Sequence, residues 1–313
     1  MNHDSKITTR WKRTRNLRYY GFGVQVGVSN LAHNGLALGV RKTIGKIFQL
    51  VNYYGRFPQY RFIGERIERH LTSFQGTRAM ILDVGSPKLL GLCLAWRYAV
   101  ELQLTDISHL DIDEYRLLWN SIKHRARGTA AFSLQDARAL PYPPATFDVV
   151  YSMSVVEHVE ADHGDSASVR ELIRVLKPGG LLLLTVPFGT HYVEQQRIGL
   201  RNTDETSGDD RSHFYQRIYD QAACETRLLT EIGRLQNFSL TTVYHRFPLF
   251  AQLWERLGAD VRGILGFANP WLSAMVSRTC EGFCHKAGGR YGPLSKNGEI
   301  NGHLMIAATR PCF

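Results

Sequence analysis

The stretch ILDVGSPKLLG, residues 81–91, contains the side chains of this chain best suited to bind a nucleotide. Asp83 and Gly85 follow an apolar run that predicts a buried strand, and glycine permits the backbone turn from a strand into a helix. Ser86 and Pro87 are typical of a helix N-cap and first turn, where free N–H groups attract a carboxylate or a phosphate. The stretch therefore predicts a strand, a turn and a helix, with a ligand at the turn.

Two further aspartates stand at the ends of the next two predicted strands. Asp106 follows Gly85 by 21 positions, in LTDI, where a carboxylate accepts hydrogen bonds from a ribose diol. Asp136, in LQDA, is suited to accept from an adenine amino group beside the Ala137 amide, or to cap the following turn. Because ligands of open α/β sheets bind at the carboxyl ends of the strands, these acids predict a single nucleotide site.

The elements that position these residues follow from alternating apolar runs and helical segments, a pattern typical of a parallel sheet with crossover helices. Five successive strands are predicted at AMILDVG, AVELQLTDI, AAFSLQDA, FDVVYSMS and GGLLLLTVPF. Helices are predicted between them at Leu89–Tyr98, Asp113–His124 and Ser166–Leu176. FSLTTVYHR and GHLMIAATR predict two later strands.

The N-terminal segment is more basic than the chain as a whole, whose net charge is +10. Residues 1–80 contain 14 Lys and Arg against 3 Asp and Glu, a balance of +11. Such a segment attracts nucleic acid or an anionic membrane surface, and it is equally compatible with a solvated face. Apolar residues at helical spacing over Val40–Val51 predict an amphipathic helix, and IGERIERHL predicts another that ends near Leu71. No apolar run approaches the roughly 18 residues of a spanning helix, so we expect at most peripheral membrane contact, through residues 1–56.

The five cysteines are scattered and include no Cys-x-x-Cys pair. Together with the lack of an evident signal peptide, this predicts a reducing, cytoplasmic location, with the inner face of a membrane as a candidate contact. Cys280, Cys284 and His285 would share one helix face, but zinc takes four ligands and no partner set is visible. We therefore expect no metal.

Four ordered blocks carry a family resemblance: ILDVGS, LTDIS, LQDARALPYPPATFDVVYSMSVVEHV and LIRVLKPGGLLLLTVPFG. They resemble class I S-adenosylmethionine-dependent methyltransferases, in particular the type 11-like branch with EHV after the fourth strand. The resemblance covers residues 78–190 and implies a Rossmann-like, seven-stranded, mostly parallel sheet with helices on both faces. It also implies S-adenosyl-L-methionine as cofactor. The implied cofactor-binding residues are Asp83, Gly85, Ser86, Asp106, Ile107, Asp136, Ala137, Ser152 and Met153, the last two beside the methyl donor.

The first block departs from the family pattern D-x-G-x-G-x-G. Pro87 stands at the second glycine and Leu89 at the third. This departure leaves open how closely the backbone approaches the methionine end of the cofactor, and a cofactor-dead binding or scaffold protein at a membrane surface is one alternative. A dinucleotide dehydrogenase is excluded because it needs the close approach of G-x-G-x-x-G to a pyrophosphate.

Methyl transfer needs alignment of the acceptor and removal of one proton when the acceptor is a hydroxyl. His158 in VVEHVE is the candidate base, with Glu157 beside it to orient it or to accept the proton; both could instead only brace the loop. The resemblance implies substrate walls after the fifth strand, where the candidates are His191, Tyr192, His213 and Tyr215. Ser154 stands where metal-binding relatives carry a further acid, which again predicts no metal.

The chain divides into four predicted parts. Residues 1–77 form a basic, mostly helical extension, 78–246 the methyltransferase core, 247–301 a helical insertion and 302–313 the last core strand. The insertion contains two apolar stripes and is a candidate lid over an acceptor, or packs against the N-terminal segment. We expect methylation of a small-molecule acceptor or one linked to a lipid or saccharide, at a hydroxyl oxygen. The alternative enzyme is an RNA methyltransferase that uses the basic segment, and the oligomeric state is open.

Overall fold

The computed structural model describes residues 6–7, 13–35, 39, 57–76, 78–198, 212–233, 235–245, 280–285 and 302–311. The strands are β1 Lys6–Ile7, β2 Ala79–Val84, β3 Val100–Asp106, β4 Thr129–Leu134, β5 Phe147–Met153, β6 Leu176–Phe188, β7 Val193–Ile198, β8 Ser212–Ile218, β9 Gln236–His245, β10 Cys280–His285 and β11 Gly302–Thr309. The longer helices are α1 Arg13–Asn34, α2 Phe57–Ser73, α3 Leu89–Arg97, α4 His109–Ile122 and α5 Gly164–Val175. Short 3₁₀ turns lie at Lys123–Arg125 and Val156–His158, and residues 221–232 form a last helical segment with a π-helical turn at Cys224–Leu229.

Among the described residues, nine strands form one sheet in the order β1-β10-β9-β11-β6-β5-β2-β3-β4. The five strands β6, β5, β2, β3 and β4 are parallel to one another. Strand β11 runs antiparallel to both β6 and β9. The seven strands from β9 to β4 are those that the apolar runs predict, so the Rossmann-like fold is confirmed. Two short antiparallel strands, β10 and β1, extend the edge beyond β9.

The central strands are apolar along almost their whole length because both faces of the sheet are covered. Two hydrophobic cores result, one on each face. Helices α1 to α4 pack against one face, through residues such as Ile67, Leu92 and Leu118. Helix α5 and residues 221–232 pack against the other, through residues such as Leu172 and Leu228.

Helix α2 closes over the sheet at the strand ends. Tyr60, Ile63 and Ile67 are fully buried and recur at helical spacing, so one apolar stripe holds the helix in place. The side-chain oxygen of Gln59, Oε1, accepts hydrogen bonds of 2.9 Å from the hydroxyls of Ser154, after β5, and Thr185 in β6. The N-terminal extension is thus attached to the core at the edge where the predicted site lies.

Two predictions about local structure need correction. The described part of the predicted helical insertion 247–301 is β10, a strand, so the proposed shared helix face of Cys280, Cys284 and His285 is wrong. Helix α3 begins at Leu89, with Lys88 as its N-cap, whereas we expected Ser86 to cap it. The predicted helix over Val40–Val51 and the two apolar stripes of the insertion lie outside the described residues.

Candidate functional site

A cleft of about 990 Å³ opens at the carboxyl ends of β2, β3, β4 and β5. This volume lies at the upper end of the range of about 300–1,000 Å³ that is usual for small-molecule sites. Turns after the four strands form its floor, and α2 and β8 contribute to its walls. The lining residues include Tyr60, Gly85, Ser86, Pro87, Lys88, Asp106, Ile107, Asp136, Ala137, Arg138, Ser154, Val155, His158, His213 and Phe214.

The turn after β2 requires a glycine at position 85. Its φ angle is +68°, and a Cβ there would lie 2.5 Å from Cγ1 of Val155 across the cleft. The backbone of Ser86 donates to Oδ1 of Asp83, and the Ser86 hydroxyl accepts from the Met153 amide, at 3.0 and 2.9 Å. Ser86 therefore joins the turn to β5, and its hydroxyl does not cap α3.

Asp83 lies beneath this turn and does not line the cleft. Its side chain is fully buried and accepts hydrogen bonds from the Ser86 amide and the Tyr151 hydroxyl. Burial raises the pKa of Asp83 to about 6, although the nearby Lys88 ammonium and these hydrogen bonds oppose the increase. Asp83 thus holds the turn in shape from below.

Lys88 is a site residue that the sequence analysis missed. Its Nζ atom is fully buried and donates to the Ser86 carbonyl at 2.6 Å and to Oδ2 of Asp106 at 2.7 Å. Oδ1 of Asp83 lies 4.0 Å from the same nitrogen. A lysine is rarely buried unless it is paired. Its partner Asp106 ends a different strand, 18 positions later in the chain, so the sequence pattern around Lys88 does not indicate the pair.

Asp106 and Asp136 both reach the cleft, as predicted. The Asp106 side chain is 15% exposed, and its Oδ1 accepts from the Ser108 amide at 3.1 Å. Asp136 is paired with Arg138 through backbone and guanidinium hydrogen bonds of 2.6 to 3.0 Å, which hold its pKa below the usual value. The Ile107 side chain, 53% exposed, lies at the rim between them.

The end of β5 presents different residues from those predicted. Ser152 and Met153 are fully buried, and the Ser152 hydroxyl donates to the Val84 carbonyl at 3.0 Å. Ser154 and Val155, the next two residues, line the cleft. The strand is covered on both faces up to its last residue, so the exposed positions begin only after it ends.

His158 lines the cleft from the 3₁₀ turn after β5. Its Nδ1 lies 2.7 Å from the Tyr215 carbonyl oxygen, and its ring meets the Tyr215 ring edge-on at 5.1 Å. A carbonyl only accepts, so Nδ1 carries the proton and Nε2 of the neutral ring carries a lone pair. Glu157 is fully buried behind it, with Oε1 at 3.9 Å from Nε2, and does not line the cleft.

The four predicted substrate residues separate into two pairs. His213 lines the cleft from β8, and Tyr215 positions His158. His191 is exposed, and the Tyr192 hydroxyl donates to Glu194 at 2.6 Å; neither lines the cleft. Both residues directly precede β7, which pairs with β8 in a two-stranded sheet that the sequence analysis did not predict.

Within the described ranges, no three His, Cys, Asp or Glu side chains lie close enough together to hold a metal ion. None of the helices that the structure describes combines the length and apolarity needed to cross a membrane.

Parts of this chain are similar to known methyltransferases. Residues 82–184 match the family model described as a methyltransferase domain. A 56-residue segment is 41% identical to 2-methyl-6-phytyl-1,4-hydroquinone methyltransferase of Synechocystis sp., covering 18% of this chain and 17% of that protein. A 128-residue segment is 30% identical to sterol 24-C-methyltransferase of Gibberella zeae, covering 38% and 32%. The chain thus spans less than a third of the length of these curated relatives.

Solved structures that are similar to this chain share little sequence identity with it. One is a S-adenosylmethionine-dependent methyltransferase from Methanosarcina mazei, with a TM-score of 0.46 and 15% identity over 78% of this chain and 97% of that one. Another is phosphoethanolamine N-methyltransferase 2 of Haemonchus contortus in complex with S-adenosyl-L-methionine, with a TM-score of 0.41 and 15% identity over 79% and 52%.

Proposed function

This chain belongs, through its methyltransferase domain, to the type 11-like class I S-adenosylmethionine-dependent methyltransferases, and we propose that it methylates a hydroxyl oxygen of an organic acceptor. The acceptor is a small molecule, or a group linked to a lipid or a saccharide. The single observation that supports a hydroxyl acceptor is that His158 lines the cleft with its Nδ1 held by the Tyr215 carbonyl.

The cofactor of the family is S-adenosyl-L-methionine, and when bound it supplies an activated methyl group on a sulfonium. The cleft fits this cofactor despite the missing glycines. Gly85 lines the cleft, and it allows the turn after β2 to approach Val155 closely, because a Cβ there would lie 2.5 Å from Cγ1 of Val155. Asp106 would hold the ribose, because a carboxylate accepts about four hydrogen bonds and only two are used by Lys88 and Ser108. Asp136 and Ala137 would hold the adenine.

His158 is suited to remove the proton of an acceptor hydroxyl. The Tyr215 carbonyl fixes Nδ1 as the protonated nitrogen, so Nε2 of the neutral ring is the basic atom. The edge-on contact with the Tyr215 ring restricts rotation of the imidazole. Oε1 of the buried Glu157 lies 3.9 Å from Nε2, and an ionised Glu157 would favour the imidazolium that forms when Nε2 takes up the proton.

The walls near His158 support an acceptor with an apolar body. Tyr60, Val155 and Phe214 line the same cleft and present aromatic and aliphatic surface. His213 adds a polar group on β8. Two of the curated relatives are named for a phytyl hydroquinone and for carbon 24 of a sterol, which supports an acceptor with a large apolar part.

We expect His158→Gln to slow turnover by about 100-fold or more, since glutamine keeps the polarity of the position and removes the base. The measurement is release of S-adenosylhomocysteine with a panel of phenolic, hydroquinone and sterol acceptors. Cofactor affinity, from calorimetry, should stay within about twofold of the wild-type value, because His158 acts on the acceptor.

His124→Gln is the matched control, because His124 is exposed on the 3₁₀ turn after α4 and does not line the cleft. It should behave as the wild type. A His158→Gln variant with full turnover on an acceptor hydroxyl would remove His158 as the base. Failure of the wild type to bind either S-adenosylmethionine or S-adenosylhomocysteine would refute the enzymatic function and favour a scaffold.

A further inference from the structure

The buried side chain of Arg217, near the end of β8, joins this strand to the loop that follows His158. It is 3% exposed, and its two terminal nitrogens donate to the Val159 carbonyl at 2.6 Å and to the Ala161 carbonyl at 2.9 Å. A guanidinium carries its donors in a rigid planar fork. Because the fork binds two carbonyls at once, it fixes both the position and the direction of the loop.

The loop that Arg217 binds has a strained backbone. Ala161 has a φ angle of +104°, in a region that residues with a side chain rarely adopt. Such a conformation persists only where surrounding contacts determine it, and it is found most often at functional sites. The hydrogen bond from Arg217 to the Ala161 carbonyl is one of these contacts, so we expect the loop to relax when it is lost.

The guanidinium of Arg217 is itself fixed by its other contacts. Its Nε donates to Oε1 of Glu194 at 3.1 Å and lies 4.0 Å from the buried carboxylate of Asp165. Its central carbon lies 4.6 Å from the centroid of the Phe214 ring. Phe214 lines the cleft, as do the two residues whose carbonyls accept from Arg217. Arg217 therefore supports this part of the cleft wall from behind.

A β-bulge in the same strand lies at the residue that binds His158. The pairing of β7 with β8 shifts by one residue between Gln195 and Gln196, and Tyr215 is the extra residue on β8. A bulge bends its strand and changes the direction in which its residues point, often next to a functional site. The Tyr215 carbonyl lies 2.7 Å from Nδ1 of His158. Because Arg217 follows two residues later, one short segment of β8 binds both the imidazole and its loop.

We propose, on the basis of the role of His158 proposed above, that Arg217 is a positioning residue for methyl transfer. It holds the loop after His158 against β8, and this keeps Nδ1 on the Tyr215 carbonyl and Nε2 unprotonated. The hydrogen bond at one nitrogen of a neutral imidazole sets the protonation of the other. When the loop separates from β8, the ring proton moves to Nε2, and that nitrogen no longer accepts the proton of a hydroxyl.

The first measurement is the tautomer of His158 in Arg217→Lys. Lysine keeps the positive charge beside Asp165 but cannot reproduce the planar fork. Nuclear magnetic resonance of the full chain with ¹⁵N-labelled histidine, at about pH 8 where an ordinary histidine is neutral, distinguishes the two tautomers. The His158 signals are those that disappear in His158→Gln. We expect an Nδ1-protonated ring in the wild type, and at least about a fivefold larger Nε2-protonated fraction in Arg217→Lys.

The second measurement is turnover of the same variant on the acceptor panel. We expect Arg217→Lys to slow turnover by about 10- to 100-fold, because a small displacement of a catalytic group has effects of this size. The Kd of S-adenosylhomocysteine, from calorimetry, should stay within about twofold of the wild-type value. A merely structural role of Arg217 would reduce the amount of folded protein and leave the tautomer of the folded molecules unchanged.

Arg174→Lys is the matched control. Arg174 donates to two backbone carbonyls, of Leu140 and Tyr142, both at 2.8 Å, and to the Glu171 carboxylate. It thus makes the same set of contacts as Arg217, but neither Arg174 nor these partners line the cleft. The tautomer of His158 and the turnover of this variant should equal those of the wild type.

An unchanged His158 tautomer in Arg217→Lys overturns this inference, and it leaves the proposed function intact if His158→Gln still slows turnover. Full turnover in His158→Gln overturns the proposed function and removes the catalytic consequence of Arg217 with it. If Arg217→Lys does not fold, Glu194→Gln replaces it, because Glu194 is 48% exposed and orients the fork through Nε. A smaller shift toward the Nε2-protonated form then supports the inference, and no shift contradicts it.

Discussion

At the scale of single residues, the three aspartates that were predicted to bind the cofactor have different capacities to meet a ligand. Asp106 is partly exposed and keeps unused lone pairs, although Lys88 and the Ser108 amide already donate to it. Asp136 lies at the rim in a pair with Arg138 that is more than two-fifths exposed, so solvent screens that pair. Asp83 is fully buried and serves the turn. Only Asp106 combines partial burial with access to the cleft.

We expect Asp106→Asn to weaken binding of S-adenosylhomocysteine by about 1 to 3 kcal/mol, the usual value of hydrogen bonds to a charged acceptor. Isothermal titration measures this change. Asp113→Asn, on the exposed face of α4, is the control and should bind normally. Unchanged affinity in Asp106→Asn would exclude Asp106 from the site.

Asp83 makes the stability of the fold depend on pH in an unusual direction. Its pKa is raised from 3.8 to about 6 in the folded state, so between these values the folded chain binds a proton that the unfolded chain does not. The contribution of Asp83 to the free energy of unfolding is therefore greatest below about pH 4, and this contribution is lost as the pH rises through about 6. Most paired carboxylates act in the opposite sense.

The corresponding experiment compares the wild type with Asp83→Asn by urea denaturation between pH 4 and pH 7. The free energy of unfolding of the wild type, minus that of the variant, should fall by up to about 3 kcal/mol as the pH rises across this range. A difference that stays constant with pH would show that Asp83 is ionised throughout.

At the scale of elements, α2 is the N-terminal part that the site depends on. Gln59 joins it to Ser154 and Thr185, and Tyr60 reaches the cleft. Gln59→Ala leaves two buried hydroxyls without this acceptor, so we expect a loss of about 1 to 3 kcal/mol in the free energy of unfolding. Gln75→Ala, at an exposed position after α2, is the control, and denaturant titration is the measurement. Equal stability of the two variants would mean that the apolar stripe alone holds α2.

The strands and most cleft acids were predictable because they follow local rules. Apolar runs mark buried strands, and strand ends mark the ligand edge, which was sufficient to place Gly85, Asp106 and Asp136 at the cleft. His158 and His213, which also line the cleft, were suggested by the family resemblance. Lys88 was not predictable, because lysine is ordinarily exposed and its burial depends on the approach of two separate strands. Ser152 and Met153 do not line the cleft, because they are the last buried residues of β5, and Ser154 and Val155 line it instead. His191 and Tyr192, which precede the unpredicted β7–β8 pair, do not line the cleft either.

At the scale of the whole molecule, the basic N-terminal helix α1 also presents apolar side chains to solvent. Val28 and Leu31 are 60% and 44% exposed, and they follow three arginines on the same helix. This combination is suited to an anionic membrane surface that holds an apolar acceptor. The same charge would also attract RNA, but electrostatic binding to RNA does not require exposed apolar side chains such as Val28 and Leu31.

We expect the double variant Val28→Asp with Leu31→Asp to sediment several-fold less with vesicles that contain anionic phosphatidylserine. Val193→Asp is the control, because Val193 is similarly exposed, at 43%, on β7. Undiminished vesicle binding, or binding to RNA alone with a steep salt dependence, would contradict membrane contact through α1.

The position of β11 in the sheet has a consequence for biosynthesis. β11 lies between β6 and β9, so its residues 302–309 pair with strands that precede it by tens to more than a hundred residues. While the ribosome is still adding those residues, β6 and β9 are without the strand that joins them, and each presents unsatisfied backbone groups. Translation must therefore reach Thr309 before the two halves of the sheet are sealed, and slow decoding in this stretch would prolong exposure to aggregation and to chaperones.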